Sequence, residues 1–129
     1  QIKENNEDIM ITSCYKEISS ELADDPNHVK VILDEHSNAI YFSRTKVPYH
    51  RDHQEVSTYS GHLGIYGFTK KSLNDFCKLN SSKLENIEKL EQLRAIDNGH
   101  KIAMVKVISK SFGIDTQEDL NNALRIFKK

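Results

Sequence analysis

The sequence lacks the features that mark several protein classes. Its 18 basic and 19 acidic residues leave a formal net charge of −1, so it offers no basic field to attract nucleic acid or an anionic membrane surface. It contains no apolar run of the ~18 residues that a membrane-spanning helix needs, and no charged-then-apolar leader. These absences argue against nucleic acid and membranes as partners.

Cysteine, proline and glycine are also scarce. Cys14 and Cys77 stand far apart, with no Cys-x-x-Cys pair and no histidine partner at zinc spacing, so we expect two reduced thiols in a cytoplasm. The two prolines and five glycines form no linker, repeat or low-complexity tract. Residues 1–129 are therefore predicted to lie within one domain with a modest core.

The stretch that is present and most clearly patterned is a predicted helix over residues 82–97. Ser82 can cap its start while Glu85 reaches back to the Ser82 amide, and Gly99 follows its end. The apolar side chains are spread around much of the helix instead of forming one apolar face. This distribution predicts a helix wedged between two layers.

One quadrant of that helix carries more polar side chains than a surface needs. Glu88, Glu91 and Gln92 fall together on the helical wheel, which predicts a polar pocket wall. Ordinary solvated pairs, such as Glu91 with Arg94, explain the same spacing. Both interpretations stay open at this point.

Two β-branched and aromatic runs, at 29–34 and 39–44, predict a β-hairpin. Arg44 ends its second strand and Arg51 lies beyond the following turn, and either guanidinium could hold a carboxylate or phosphate in a bidentate fork. The alternative for each is a capped surface arginine. Residues 45–60 are predicted to be a long irregular connection of the kind that often binds ligands.

A glycine-rich strand is predicted over residues 61–68. Its alternation places His62, Gly64 and Tyr66 on one side, where a bare backbone floor lies between two rings about 13 Å apart at ~3.3 Å per residue. Such a floor could admit a small polar ligand. Close sheet packing at the glycines, with both rings satisfied locally, is the alternative.

Asp115 lies where a predicted strand gives way to a helix that Thr116 caps. This is the ligand-facing edge of an open α/β sheet, and one carboxylate there suits Mg²⁺ beside substrate phosphates. A structural cap is the alternative reading of a lone aspartate. The remaining predicted elements are a strand at 9–13, helical turns within 15–25, a helix over 69–79 with Leu73, Phe76 and Cys77 inward, a strand over 101–109 and a helix over about 117–127.

Five segments, DPNHVKVILD, AIYFSR, GHLGIYGF, LENIEKLEQLRAIDNG and GIDTQEDLNNA, occur in an order and at separations that resemble one family. They resemble the CMP-Kdo synthetases, the 3-deoxy-manno-octulosonate (Kdo) cytidylyltransferases, over nearly the whole chain. The family's IPAR-type start and GDEP motif are absent. The resemblance therefore implies the carboxy-terminal half of a Rossmann-like α/β nucleotidyltransferase domain, a mixed sheet flanked by helices that carries the sugar-acid-binding part and the dimerisation region.

The resemblance also implies an activity. The parent enzyme would transfer CMP from CTP to Kdo, giving CMP-Kdo and pyrophosphate for lipopolysaccharide assembly in the cytoplasm of a Gram-negative bacterium, as a homodimer with Mg²⁺. We expect residues 1–129 alone to be inactive. The matching positions imply a Kdo pocket of Arg44, Arg51, His62, Tyr66, Glu91 and Gln92, a catalytic, metal-binding Asp115, and more weakly Asn27 and Lys30.

The implied pocket fits the ligand's chemistry. Kdo is a hydroxyl-rich acid, so it needs a guanidinium for its carboxylate and acceptors such as Glu91 and Gln92 for its hydroxyls. Two alternatives stay open. One is the related sialic acid cytidylyltransferase, and the other is a non-catalytic oligomerisation or ligand-binding module that keeps the scaffold.

Overall fold

A computed structural model describes residues 9–52 and 58–108 of the protein, which centre on one five-stranded sheet. Its strands are β1 (Ile9–Ser19), β2 (Lys30–Leu33), β3 (Ala39–Ser43), β4 (Thr58–Gly67) and β5 (Lys101–Lys106). They lie in the order β3-β2-β4-β1-β5, with β1 parallel to β5 and the other neighbours antiparallel. The sheet is therefore mixed, as predicted.

Short helices flank this sheet. They are α1 (Ser20–Ala23), α2 (Lys70–Cys77), α3 (Lys83–Glu88) and α4 (Leu93–Asp97). The predicted capping box at the start of α3 is present, since Ser82 accepts from the Glu85 amide while the Glu85 carboxylate accepts from the Ser82 amide. Among the described helices, none is long and apolar enough to cross a membrane.

The core lies where β1, β5 and β3 pack against α4 and the turn before it. Strand β5 supplies the alternate residues Ile102 and Met104 to this core, and α4 contributes two residues that are fully buried. Its buried members are Met10, Ile11, Val31, Phe42, Leu90, Leu93, Ala95, Ile102 and Met104. This packing fixes the position of the turn between α3 and α4 against the sheet.

The first strand is longer than the sequence predicted. The expected helical turns within 15–25 are wrong for residues 15–19, which continue β1, and the one helix that follows is the four-residue α1. Residues 15–19 pair with the first part of β4. Strand β4 begins at Thr58, so the irregular connection predicted for 45–60 ends earlier than expected. Pairing with a neighbouring strand outweighs a weak helical preference here.

The predicted helix over 82–97 is also wrong as one continuous element. It breaks at Lys89, which adopts a left-handed conformation with φ 59°, and helical structure resumes only at Leu93. The break coincides with Arg44, whose guanidinium donates to the carbonyl oxygens of Glu88 and Lys89. Those carbonyls are thus satisfied from another element of the fold.

Helix α2 was predicted to turn Leu73, Phe76 and Cys77 inward, and the structure buries none of its residues. Phe76 is half-buried and packs against Phe68 with 5.6 Å between ring centroids. Leu73 and Cys77 are exposed and lie along an open groove. Phe76 therefore packs against the core as predicted, whereas Leu73 and Cys77 contribute to a surface groove instead.

Candidate functional site

A cavity of about 400 Å³ opens beside β4. It lies between β1, β4, the segment that leads into β2, and the turn between α3 and α4. A volume of this size is typical of small-molecule sites, which span about 300–1,000 Å³. The lining residues are Lys16, Ile18, Leu22, Asn27, His28, Val29, Gly61, His62, Leu63, Gly64, Tyr66, Leu90 and Gln92.

An irregularity in β4 shapes the cavity. Ser13 and Cys14 of β1 are adjacent, but their partners in β4 are Tyr66 and Leu63, so β4 carries two extra residues as a bulge. A regular strand predicts about 13 Å between the rings of His62 and Tyr66. The observed distance between ring centroids is 5.6 Å, because the bulge shortens the strand and re-aims the side chains.

Three of the predicted site residues form one hydrogen-bonded chain at the cavity. The Tyr66 hydroxyl donates to Gln92 Oε1 at 3.3 Å, and Gln92 Nε2 lies 3.5 Å from His62 Nδ1. The other ring nitrogen, His62 Nε2, lies 2.8 Å from the hydroxyl oxygen of Ser13. The structure thus brings together three of the six residues of the predicted pocket, His62, Tyr66 and Gln92.

Burial keeps both rings neutral. It lowers the pKa of His62 to about 4, well below its ordinary 6.5. Burial, with a smaller contribution from the negative charge of Glu91, raises the pKa of Tyr66 to about 12. At neutral pH the site therefore offers hydrogen bonds from uncharged groups.

Glu91 lies apart from this chain. Its side chain is 74% exposed, its carboxylate is 3.7 Å from Arg94 Nη2, and it lines a smaller groove of about 190 Å³ beside α2. Tyr66 and Gln92 line both the groove and the cavity, so they form the wall between the two. Glu91 thus faces the neighbouring groove, one side chain away from the cavity.

Arg44 uses its guanidinium inside the fold. Its three nitrogens donate to the carbonyl oxygens of Pro26, Glu88 and Lys89 at 2.8–3.2 Å. Arg51 is exposed in a turn. Among the described residues that line the cavity, neither arginine is present.

Glu88, placed by the helical wheel in the pocket wall, faces the hairpin instead. Its carboxylate accepts hydrogen bonds from the Tyr41 and Ser43 hydroxyls and from the Arg44 amide at 2.7–3.2 Å. Burial alone would raise the pKa of this carboxyl, but the three donors together lower it. The wheel was misleading because the helix breaks directly after Glu88.

Sequence reasoning missed two residues that contact this site. Ser13 is fully buried beneath His62, and Lys16 lines the cavity with its pKa lowered by burial. Lys16 lies in a stretch predicted to form helical turns, so the sequence did not show which side of the sheet it occupies. Alternation along the whole of β1 places Lys16 on the same face as Ile18, which also lines the cavity, so the longer strand would have identified it.

The two weaker candidates have separate environments. Asn27 lines the cavity, and its backbone N–H donates to the Asp25 carboxylate. Lys30 is fully buried and donates to the Asp25 carbonyl oxygen at 3.0 Å, and desolvation lowers its pKa. Lys30 thus anchors the segment that carries Asn27 and His28 into the cavity wall.

The metal prediction rests on a residue outside the described part. Asp115 and the predicted helix over about 117–127 lie beyond residue 108. Within 9–52 and 58–108, no group of three or more histidine, cysteine, aspartate or glutamate side chains is arranged to hold a metal ion. The described residues therefore do not by themselves fit a Mg²⁺ site.

Comparisons with known proteins agree on one family. The family model described as "Cytidylyltransferase" matches residues 1–102. A 3-deoxy-manno-octulosonate cytidylyltransferase of Wolinella succinogenes is 58% identical over 119 residues, which are 91% of this chain and 49% of the relative. The protein of the same name from Helicobacter pylori is 52% identical over 120 residues, again 91% of this chain and 49% of the relative.

A solved structure of CMP:2-keto-3-deoxy-manno-octonic acid synthetase complexed with CTP resembles the fold, with a TM-score of 0.76 and 30% identity. The match covers 99% of this chain and 53% of that one. It confirms the predicted Rossmann-like α/β fold with a mixed sheet. The chain spans about half the length of the relatives it matches.

Proposed function

Because the chain belongs to the cytidylyltransferase family, we propose that it is the sugar-acid-binding part of an enzyme that transfers CMP from CTP to Kdo. The observation that carries this proposal is the convergence of His62, Tyr66 and Gln92 on one cavity. Relatives that are 58% and 52% identical bear the corresponding enzyme name. That the chain is the carboxy-terminal half of such an enzyme remains a prediction.

The polar groups of the cavity suit hydroxyl recognition. His62, Tyr66 and Gln92 are uncharged, and each can accept or donate a hydrogen bond at the cavity surface. Kdo presents several hydroxyls to such groups. Apolar neighbours, among them Val29 and Leu90, exclude water and strengthen each hydrogen bond.

The carboxylate of Kdo needs a positive charge. Lys16 lines the same cavity as His62, so we propose that its ammonium group attracts the carboxylate. Arg44 and Arg51 were the predicted partners. Arg44 instead joins the segment before β2 to the turn between α3 and α4, two walls of the cavity, and Arg51 and the exposed Glu91 remain predicted ligands.

In the proposed reaction the anomeric hydroxyl of Kdo attacks the α-phosphorus of CTP, and pyrophosphate leaves. The contribution of the described residues is to bind Kdo, orient its hydroxyl and keep water out. The solved relative complexed with CTP supports CTP as the second substrate. We propose that groups outside the described residues hold the CTP.

Three further properties belong to the proposal. Mg²⁺ would be held through Asp115, with its other ligands outside the described residues. The enzyme would be a homodimer, for which the exposed apolar side chain of Leu73 beside a groove is compatible surface. It would act in the cytoplasm, where its cysteines stay reduced.

The binding test titrates the 129-residue protein with Kdo by calorimetry. We expect saturable binding, and we expect Gln92→Ala to weaken it about tenfold, because the substitution removes an amide from the cavity wall. Asn86→Ala is the matched control, since it removes an amide from the exposed face of α3. Absence of Kdo binding, or equal loss in both variants, would contradict the proposed site.

The choice of sugar acid is tested by turnover. The assayed protein joins this sequence to the half of a relative that it does not cover. Pyrophosphate release is measured with CTP plus Kdo and with CTP plus sialic acid. Turnover with Kdo supports the proposal, whereas turnover with sialic acid alone would replace it with the related activity. We expect the 129-residue protein by itself to release no pyrophosphate.

A further inference from the structure

The fully buried hydroxyl of Ser13 has three neighbours within hydrogen-bonding distance. Its oxygen lies 2.6 Å from the Ile65 carbonyl oxygen, 3.3 Å from the Leu63 carbonyl oxygen and 2.8 Å from His62 Nε2. A carbonyl oxygen only accepts, so the single hydroxyl hydrogen is donated to a carbonyl, by distance that of Ile65. Toward His62 the serine oxygen can therefore only accept.

The direction of that bond decides where the proton of His62 lies. An unprotonated Nε2 would set two lone pairs against each other at 2.8 Å, so Nε2 must carry the hydrogen. The ring is neutral at ordinary pH, which leaves Nδ1 without one. Gln92 Nε2 then donates to Nδ1, and Gln92 Oε1 accepts from the Tyr66 hydroxyl, so the whole chain is consistent in direction.

The bulge in β4 makes this arrangement possible. In a regular antiparallel pair, the Ile65 carbonyl would accept from a backbone amide of β1 or would point away from β1, to the other side of β4. The register shift opposite Ser13 and Cys14 instead turns that carbonyl toward the Ser13 side chain. The bulge thus fixes the direction of the Ser13 hydroxyl, and that direction selects the tautomer of His62.

We propose that Ser13 is a positioning residue that holds His62 in the Nε2–H tautomer, so that Nδ1 accepts a hydrogen bond from a substrate hydroxyl. The identity of that substrate as Kdo rests on the proposed function. The 3.5 Å contact of Nδ1 with Gln92 is long, and a hydroxyl at the usual distance of about 2.8 Å displaces it readily.

The tautomer also determines which part of the sugar acid faces His62. Nδ1 without a hydrogen repels the lone pairs of a carboxylate and attracts a hydroxyl hydrogen. Ser13 therefore contributes to specificity without touching the substrate. The carboxylate must lie elsewhere in the cavity, on the side of Lys16.

The experiment measures ring nitrogen shifts by ¹⁵N NMR in the ligand-free 129-residue protein, with the His62 signals assigned by their loss in His62→Gln. We expect the Nε2–H tautomer in the wild type and a shift of population toward Nδ1–H in Ser13→Ala. Kdo binding should weaken about tenfold in that variant. Thr12→Val is the matched control, because it removes a hydroxyl from the opposite face of β1 and should change neither readout.

An Nδ1–H or charged ring in the wild type would overturn the proposal, as would a Ser13→Ala protein whose His62 tautomer is unchanged. If Ser13→Ala does not fold, the tautomer of His62 in the wild type and the change in its Nδ1 shift on adding Kdo still test the proposal. A wild-type Nε2–H ring in a protein that does not bind Kdo would remove the proposed substrate but leave the tautomer role of Ser13 intact.

Discussion

Two polar clusters flank the turn between α3 and α4, one around Glu88 and one around His62 and Gln92. They differ in the number and length of their hydrogen bonds. Around Glu88, a charged carboxylate accepts three hydrogen bonds while Arg44 donates to three carbonyl oxygens. Around His62, neutral groups meet at 3.3 and 3.5 Å on the cavity side. The short contacts of this cluster, at 2.8 and 2.6 Å, join the Ser13 hydroxyl to His62 and to the Ile65 carbonyl oxygen.

The difference separates a cluster that holds the fold from one that can bind. A charge-assisted network in which the carboxylate accepts three hydrogen bonds and the guanidinium donates three is costly to disturb, and a ligand gains little by entering it. Long contacts between neutral groups beside a cavity can be exchanged for contacts with a ligand at little cost. We therefore expect substitutions near Glu88 to lower stability, and substitutions near His62 to lower binding.

The largest expected effect is that of Glu88→Ala. It leaves the Tyr41 and Ser43 hydroxyls and the Arg44 amide without their acceptor, and we expect the free energy of unfolding to fall by about 4 kcal/mol. Urea denaturation measures the change. Glu91→Ala is the matched control, because its exposed carboxylate should contribute less than about 0.5 kcal/mol. Equal effects would erase the distinction between the two clusters.

The next effect concerns pH and the half-buried ring of His62. Its pKa is about 4 in the folded state against 6.5 in the unfolded chain, so between these values the unfolded state binds more protons. Stability that is fully present above pH 6.5 is therefore lost as the pH falls toward 4, by roughly 3 kcal/mol.

Denaturation between pH 7 and 4.5 measures this loss, with His62→Gln as the non-titrating control. Glu85 and Glu88, whose pKa values are lowered from 4.5, lose their contribution only below that window. A slope that persists unchanged in His62→Gln would show that another group titrates.

The smallest effect comes from a pair of glycines in β4. A Cβ at Gly61 would lie 2.7 Å from Cγ2 of the buried Ile18, whereas one at Gly64 meets nothing within 4 Å. We expect Gly61→Ala to destabilise by about 1–2 kcal/mol, and Gly64→Ala to leave the unfolding midpoint nearly unchanged while reducing Kdo binding. If Gly64→Ala binds Kdo normally, the ligand does not approach the bare backbone there.

Elements with strong local signals could be predicted from the sequence. The hairpin of β2 and β3 follows from two β-branched runs, and the capping box at Ser82 and Glu85 forms as its spacing predicts. His62, Tyr66 and Gln92 were identified by residue type and by the family resemblance, and the structure brings them together. The distance between the two rings was not predictable, because a bulge has no dependable local signal.

Other failures have a common cause. Lys16 was hidden because residues 15–19 became a strand only through pairing with β4. Glu88 was misplaced because the helix broke where the guanidinium of Arg44, directly after β3, donates to the carbonyl oxygens of Glu88 and Lys89. In each case a contact between distant parts of the chain outweighed a local preference.

By itself the sequence determined the family, the mixed α/β class and the chemical types at the cavity, since these depend on motifs, hydrophobic periodicity and side-chain chemistry. Only the tertiary structure decided that Arg44 and Glu88 hold the fold together, that Ser13 supports His62, and that the two rings lie 5.6 Å apart. The physical reason is that a hydrogen bond is directional and short, so its partner is known only once packing has placed both atoms.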